Sequence, residues 1–147
     1  MTQHFEELIG KIFLTILLCS LIGGEREMRQ KGAGLRTHIL VGVGSALIVL
    51  TSFHVFENYK NVTLVDPTRM IAGVVQGIGF LCAGAIIRGG TQQVSGLTTA
   101  ATLWIVSCIG MAVGAGQYDA AIIFTVVVFI VLIGVRSLER KLKDKLK

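Results

Sequence analysis

Long charge-free runs organise this chain. Residues 70–87 carry no charged side chain, nor do residues 91–118, and between 37 and 56 the only titratable groups are His38 and His54. A run of about 20 mostly apolar residues matches the roughly 30 Å hydrocarbon core of a bilayer. The pattern predicts an all-α, polytopic membrane protein with five transmembrane helices, over 8–24, 37–56, 68–87, 97–116 and 120–138. The first segment contains Lys11, whose long side chain is expected to snorkel to the headgroups. A cleaved signal peptide is the competing reading of that segment, but the charged EREMRQK after it offers no small-x-small cleavage site. Asp66-Pro67 reads as an N-cap followed by proline at the first helical position. Asp119 reads as a cap for the fifth helix. In the tail, 139–147, basic residues and the four-residue spacing of Leu138, Leu142 and Leu146 predict an amphipathic end lying on an anionic leaflet.

Composition sharpens the picture without changing it. Of 147 residues 52% are hydrophobic and only 16% charged, against about 25% charged in a soluble domain. The cations are unevenly placed. Five crossings put Arg26, Arg29, Lys31 and Arg36, then Arg88, then Arg136, Arg140, Lys141, Lys143, Lys145 and Lys147 on one side. Lys11, Lys60 and Arg69 fall on the other. The positive-inside rule makes the first side cytoplasmic, with the N-terminus outside and the C-terminus inside. Tyr59 and Tyr118 then fall at the outer interface, where aromatic belts form. Cys19, Cys82 and Cys108 lie in apolar spans, read as small core residues rather than a disulfide framework. No nucleophile–base pair, phosphate loop or base-reading patch is present, so neither an enzyme, a cofactor nor a nucleic-acid partner is expected. Gly77-x-Gly79 lies inside an apolar helix and is not a dinucleotide loop.

Lipid gives helices no hydrophobic drive to associate, so small residues that admit close backbone contact carry the packing. Gly73-x-x-x-Gly77, extended by Gly84, and Gly110-x-x-x-Gly114 fit this pattern and predict tight packing or a dimer. The alternative is that glycine is simply common in membrane helices. A shift of 62 residues aligns Arg26 with Arg88, Gly34 with Gly96, Leu35 with Leu97, Thr37 with Thr99 and Ser45 with Ser107. Helices one–two and three–four are therefore expected to form a parallel repeat about an axis along the membrane normal, with chance similarity in a biased composition as the alternative.

The pieces GERE (Gly24–Glu27), GLRTHILVGVGSAL (Gly34–Leu47), DPTR (Asp66–Arg69), GIGFLCAGAIIR (Gly77–Arg88), VSGLTTAATLW (Val94–Trp104) and IGMAVGAGQY (Ile109–Tyr118), taken in order, resemble the MgtC/SapB family of bacterial membrane proteins. Cys82, where the family pattern has glycine, and Gln76, where it has a small polar residue, are departures. The resemblance implies a bacterial inner-membrane protein linked to adaptation to low magnesium and, in pathogens, to survival inside host cells. Many members carry a soluble cytoplasmic domain after the fifth helix; this sequence stops at Lys147, so regulation through one is not expected.

Magnesium wants about six oxygen ligands and dehydrates reluctantly. The acidic residues Glu6, Glu7, Glu25, Glu27, Glu57, Asp66, Asp119, Glu139 and Asp144 all fall at membrane edges, so one chain offers no evident cage. The metal ligands, if any, stay undetermined. The candidate functional residues are therefore at helix ends. Glu25, Arg26 and Glu27 read either as a solvated interface cluster or as partners for Arg88 that lock the two hairpins. Arg36, Thr37 and His38, with Thr98 and Thr99, read either as caps and interface anchors or as two helix N-termini forming an anion site. Asp66 and Arg69 read as a local cap and pair. Trp104, about two turns into its helix, is expected to be buried against small residues. The expected activity is modulation of another membrane complex, through the bilayer and as a homo-oligomer; the alternatives are a small magnesium or phosphate transporter and a purely structural dimerisation module.

Overall fold

The computed structural model describes residues 2–87 and 95–145, and the side chains of 5–86 and 95–135. Five helices follow one another: α1 (Thr2–Met28), α2 (Leu35–Tyr59), α3 (Thr68–Ile87), α4 (Leu97–Gly114) and α5 (Tyr118–Lys145). Four of them, α2 to α5, are long and apolar enough to cross a membrane. In α1 the apolar run is broken by Lys11, yet the helix turns Phe5, Ile9, Phe13, Leu17 and Leu21 outward.

Local chemistry explains where each helix stops. Helix α1 runs past the expected end at residue 24 because EREM holds neither glycine nor proline and Glu25 pairs with Arg29 one turn on. It closes in a Schellman motif: the Lys31 N–H donates to the Arg26 carbonyl (3.0 Å) and the Gln30 N–H to the Glu27 carbonyl (2.9 Å). Gln30 takes the left-handed position, φ 51°. Helix α4 ends the same way, two residues before the expected 116. Gly116 is left-handed at φ 79°, and the Gln117 N–H reaches the Ala112 carbonyl (2.8 Å). Helix α3 has the expected bounds and cap. The Asp66 carboxylate accepts from the Thr68 N–H (2.8 Å) and its hydroxyl (2.6 Å). Helix α5 starts at Tyr118, which places Asp119 in its first turn, and continues through most of the tail as one helix.

The bundle is built around α2 and α4, its most extensively packed pair. They run parallel and in register: His38 faces Thr102, Ser45 faces Ser107, and Ala46 faces Gly114. A Cβ on Gly110 would overlap the Gly42 carbonyl oxygen, and one on Gly114 would lie 2.8 Å from that of Ala46. This second glycine pair performs the packing expected of it. The first does not. Among the described residues, added Cβ atoms at Gly73, Gly77 and Gly84 meet nothing within 4 Å.

Both α2 and α4 begin after a glycine N-cap, Gly34 and Gly96, 62 residues apart. Helix α1 packs on α2 and α4, α3 packs on α4 and α2, and α1 and α3 do not touch among the described residues. The Ser45 and Ser107 hydroxyls, equivalent under the 62-residue shift, lie 2.8 Å apart. A residue can touch its own counterpart only near the symmetry axis, so the axis passes between these serines. The halves then diverge. Helix α5 lies against α1 and α4, burying Ala121 and Thr125 beside Leu18, Cys19, Ile22, Val106, Ile109 and Val113. The equivalent groove between α3 and α2, about 650 Å³, stays open. Thr15, fully buried on α1, has Gly77 as its counterpart on α3, which leaves the space empty.

Candidate functional site at the Glu25 end

The last turn of α1 gathers the charges. Glu25 and Arg26 are 6% and 3% exposed, so the expected solvated cluster is instead a buried one. Arg26 and Arg29 both donate through Nε to the Glu25 carboxylate, one to each oxygen. Removing two charges from water is compensated only when their remaining hydrogen-bond capacity is met. Here one carboxylate is shared by two guanidinium groups, leaving the trio one positive charge in excess.

Glu27 points away from this trio. It accepts from the Leu35 N–H at 2.9 Å and so caps α2. Neither Gly34 nor Gly96 makes a side-chain cap bond, so capping by the threonines is not what the helices use. The carboxylate occupies the space a Cβ on Gly34 would need. Glycine at the N-cap lets a side chain from the preceding helix do the capping. Thr37 and Thr98 are exposed and Thr99 is buried.

His38 is fully buried, not an interface anchor. Its Nδ1 lies 2.8 Å from the Gly34 carbonyl oxygen and its Nε2 3.0 Å from the Thr102 hydroxyl, which also reaches the Thr99 carbonyl at 2.9 Å. Three contacts share the protons of one ring and one hydroxyl. A neutral ring protonated at Nδ1 donates to the Gly34 carbonyl, and the single Thr102 hydroxyl proton then serves either Nε2 or the Thr99 carbonyl. The helix N-termini of α2 and α4 open onto one cleft of about 700 Å³, lined by Lys31, Thr37, Gly96 and Thr99. Arg36 is exposed.

Several expected residues lie elsewhere. Asp66 and Arg69 are at the opposite end, where the Thr68 hydroxyl and N–H hold the Asp66 carboxyl below its ordinary value of 3.8. Trp104 is 44% exposed, not buried. The small-residue face of α4 is already filled by α2, which leaves no such surface to bury the ring. Lys11 reaches back one turn toward the start of α1 and donates to Glu7 at 2.8 Å, with 12% of its side chain exposed. Arg88, the proposed partner of Glu25 or Glu27, lies outside the described residues. All three cysteines are free, but only Cys19 is buried; Cys82 and Cys108 are partly exposed. Among the described residues no three His, Cys, Asp or Glu side chains form a metal-holding group.

The profile of the MgtC family matches residues 12–141. The chain belongs to the MgtC family. Among curated relatives, YhiD of Escherichia coli K12, described as "Putative magnesium transporter YhiD", is 43% identical over 141 residues, covering 95% of this chain and 65% of its own length. Protein MgtC of Salmonella typhimurium is 40% identical over 136 residues, covering 92% of this chain and 55% of its own. An uncharacterized protein of Haemophilus influenzae is 38% identical over 126 residues, 84% of this chain and 53% of its own. The chain thus spans between about half and two thirds of the length of these relatives. No solved structure matches it. The family match and the four long apolar helices make this a multi-pass membrane protein.

Proposed function

We propose that this MgtC-family domain is a non-enzymatic inner-membrane regulator. It modulates another membrane complex when magnesium is scarce or during intracellular stress, including virulence-associated growth. Five crossings, with the N-terminus outside and the basic tail in the cytoplasm, are part of this reading, as is self-association into a dimer.

The observation that carries the reading is the open face of α3. A Cβ added at Gly73 or Gly77 would meet nothing within 4 Å among the described residues, and the groove they share with α2 is wide and apolar. Such a face accepts a helix of another membrane protein by close backbone contact. Four of the described carboxylates are, by contrast, already engaged: Glu25 by two arginines, Glu27 by the α2 N-terminus, Asp66 by Thr68 and Glu57 by Lys60. Affinity isolation from native membranes during magnesium starvation tests it. A partner complex retained by the wild type and lost from Gly77→Leu supports the reading; identical recovery from both contradicts it.

A second reading, small-ion transport, draws on the cleft where two helix N-termini and Lys31 converge. Helix N-termini favour anions, so phosphate suits that cleft better than a divalent cation.

A further inference from the structure

At the end of the bundle opposite Glu25, α1, α2 and α4 enclose a second cleft of about 640 Å³. Its lining combines Lys11 and Glu7 of α1, His54 and Glu57 of α2, and the small residues Gly114 and Ala115 that close α4. Leu8, Leu50 and Phe53 make the remaining wall largely apolar. A lysine inside a membrane helix is costly unless it faces a cavity and a partner. Lys11 has both: it faces this cleft and is bonded to Glu7.

The cleft therefore presents a cation, carboxylates and a hydrocarbon wall together, at the level where lipid headgroups meet acyl chains. We propose that it binds a phospholipid whose headgroup carries a primary ammonium, of the phosphatidylethanolamine class. The lipid phosphate accepts from the Lys11 Nζ. The lipid ammonium donates to Glu57, displacing Lys60, which holds Glu57 at 2.6 Å from an exposed position three residues on. Exposed pairs of this kind contribute little, so the exchange costs little. Lys11 and Lys60 balance Glu7 and Glu57, which matches a zwitterion rather than an anionic headgroup. A primary ammonium donates hydrogen bonds; the quaternary ammonium of phosphatidylcholine has none to give, so the site distinguishes the two. The apolar wall takes up the start of an acyl chain, so a soluble phosphoethanolamine lacks most of the contact.

The test uses the full chain in detergent, titrated with short-chain phosphatidylethanolamine, phosphatidylcholine or phosphatidylglycerol, or with free phosphoethanolamine. Bound lipid is read by native mass spectrometry and stability by thermal unfolding. Phosphatidylethanolamine is expected to bind roughly tenfold better than phosphatidylcholine, the scale of one charge-assisted hydrogen bond. Glu57→Gln, a change at an exposed position that removes the charge but keeps one acceptor, is expected to reduce that preference several-fold. Lys11→Met is expected to weaken both lipids. Equal binding of both zwitterionic lipids by the wild type, tighter binding of phosphatidylglycerol, equal stabilisation by free phosphoethanolamine, or a preference undiminished by Glu57→Gln would each overturn the proposal. Should Lys11→Met fail to fold, Glu57→Gln still decides.

Discussion

Ser45 and Ser107 donate and accept one hydrogen bond across 2.8 Å, although 62 residues separate them. Each occupies the same place in its own hairpin, so the bond marks the centre of the molecule. Hydrogen bonds between membrane helices average about 0.6 kcal/mol in double-mutant cycles. Ser45→Ala and Ser107→Ala are expected to couple by about that amount, and the cycle in reversible detergent unfolding measures it.

The two glycine pairs are expected to behave oppositely. Gly110→Ala pushes a methyl group onto the Gly42 carbonyl and should destabilise by about 1–3 kcal/mol or more, as overpacking does. Gly77→Ala meets open space and should leave the isolated domain unchanged within about 0.5 kcal/mol. Unfolding midpoints of the two variants, side by side, check this contrast.

That contrast also shows what the sequence could and could not reveal. Both pairs have the same spacing, and spacing states only that a close approach is available. Which pair is used depends on the partner's backbone: Gly42 and Ala46 lie opposite one, and among the described residues nothing lies within 4 Å of the other. Helix α3 was legible to the residue because Asp66 and Pro67 encode its start locally. The 62-residue repeat was legible because its markers, Gly34 and Gly96 or Ser45 and Ser107, sit where the halves meet. His38 and Trp104 were misread for one reason. A side chain's burial is decided by a neighbour remote in sequence, Thr102 for His38 and the already filled α2 face for Trp104. The capping role of Glu27 had one signal, the uncapped Gly34 seven residues on, which only the hairpin geometry makes meaningful.

Glu25 is expected to be the most sensitive charge. Glu25→Ala leaves Arg26 buried without its counter-ion, and breaking a buried pair costs about 3–5 kcal/mol. Glu25→Gln keeps one acceptor and should cost less. Loss of folded protein on size-exclusion chromatography, graded Ala worse than Gln, checks it. Glu27→Ala, which removes only the α2 cap, should cost about 1 kcal/mol.

Asp66 gives a pH dependence with a defined sign. Its folded-state pKa lies below the ordinary 3.8, so its contribution is complete above that value and is lost as pH falls through the folded pKa. Asp66→Asn keeps an oxygen for the Thr68 N–H but does not titrate. Its thermal midpoint should therefore lose the wild type's Asp66-dependent decline below about pH 4.

Flux into sealed liposomes carrying the purified domain tests the central claim, regulation rather than carriage, most directly. Regulation predicts that neither magnesium nor phosphate crosses faster than in protein-free liposomes. Flux of either ion above that background, abolished by Glu25→Gln or Asp66→Asn in protein that remains folded, would contradict it.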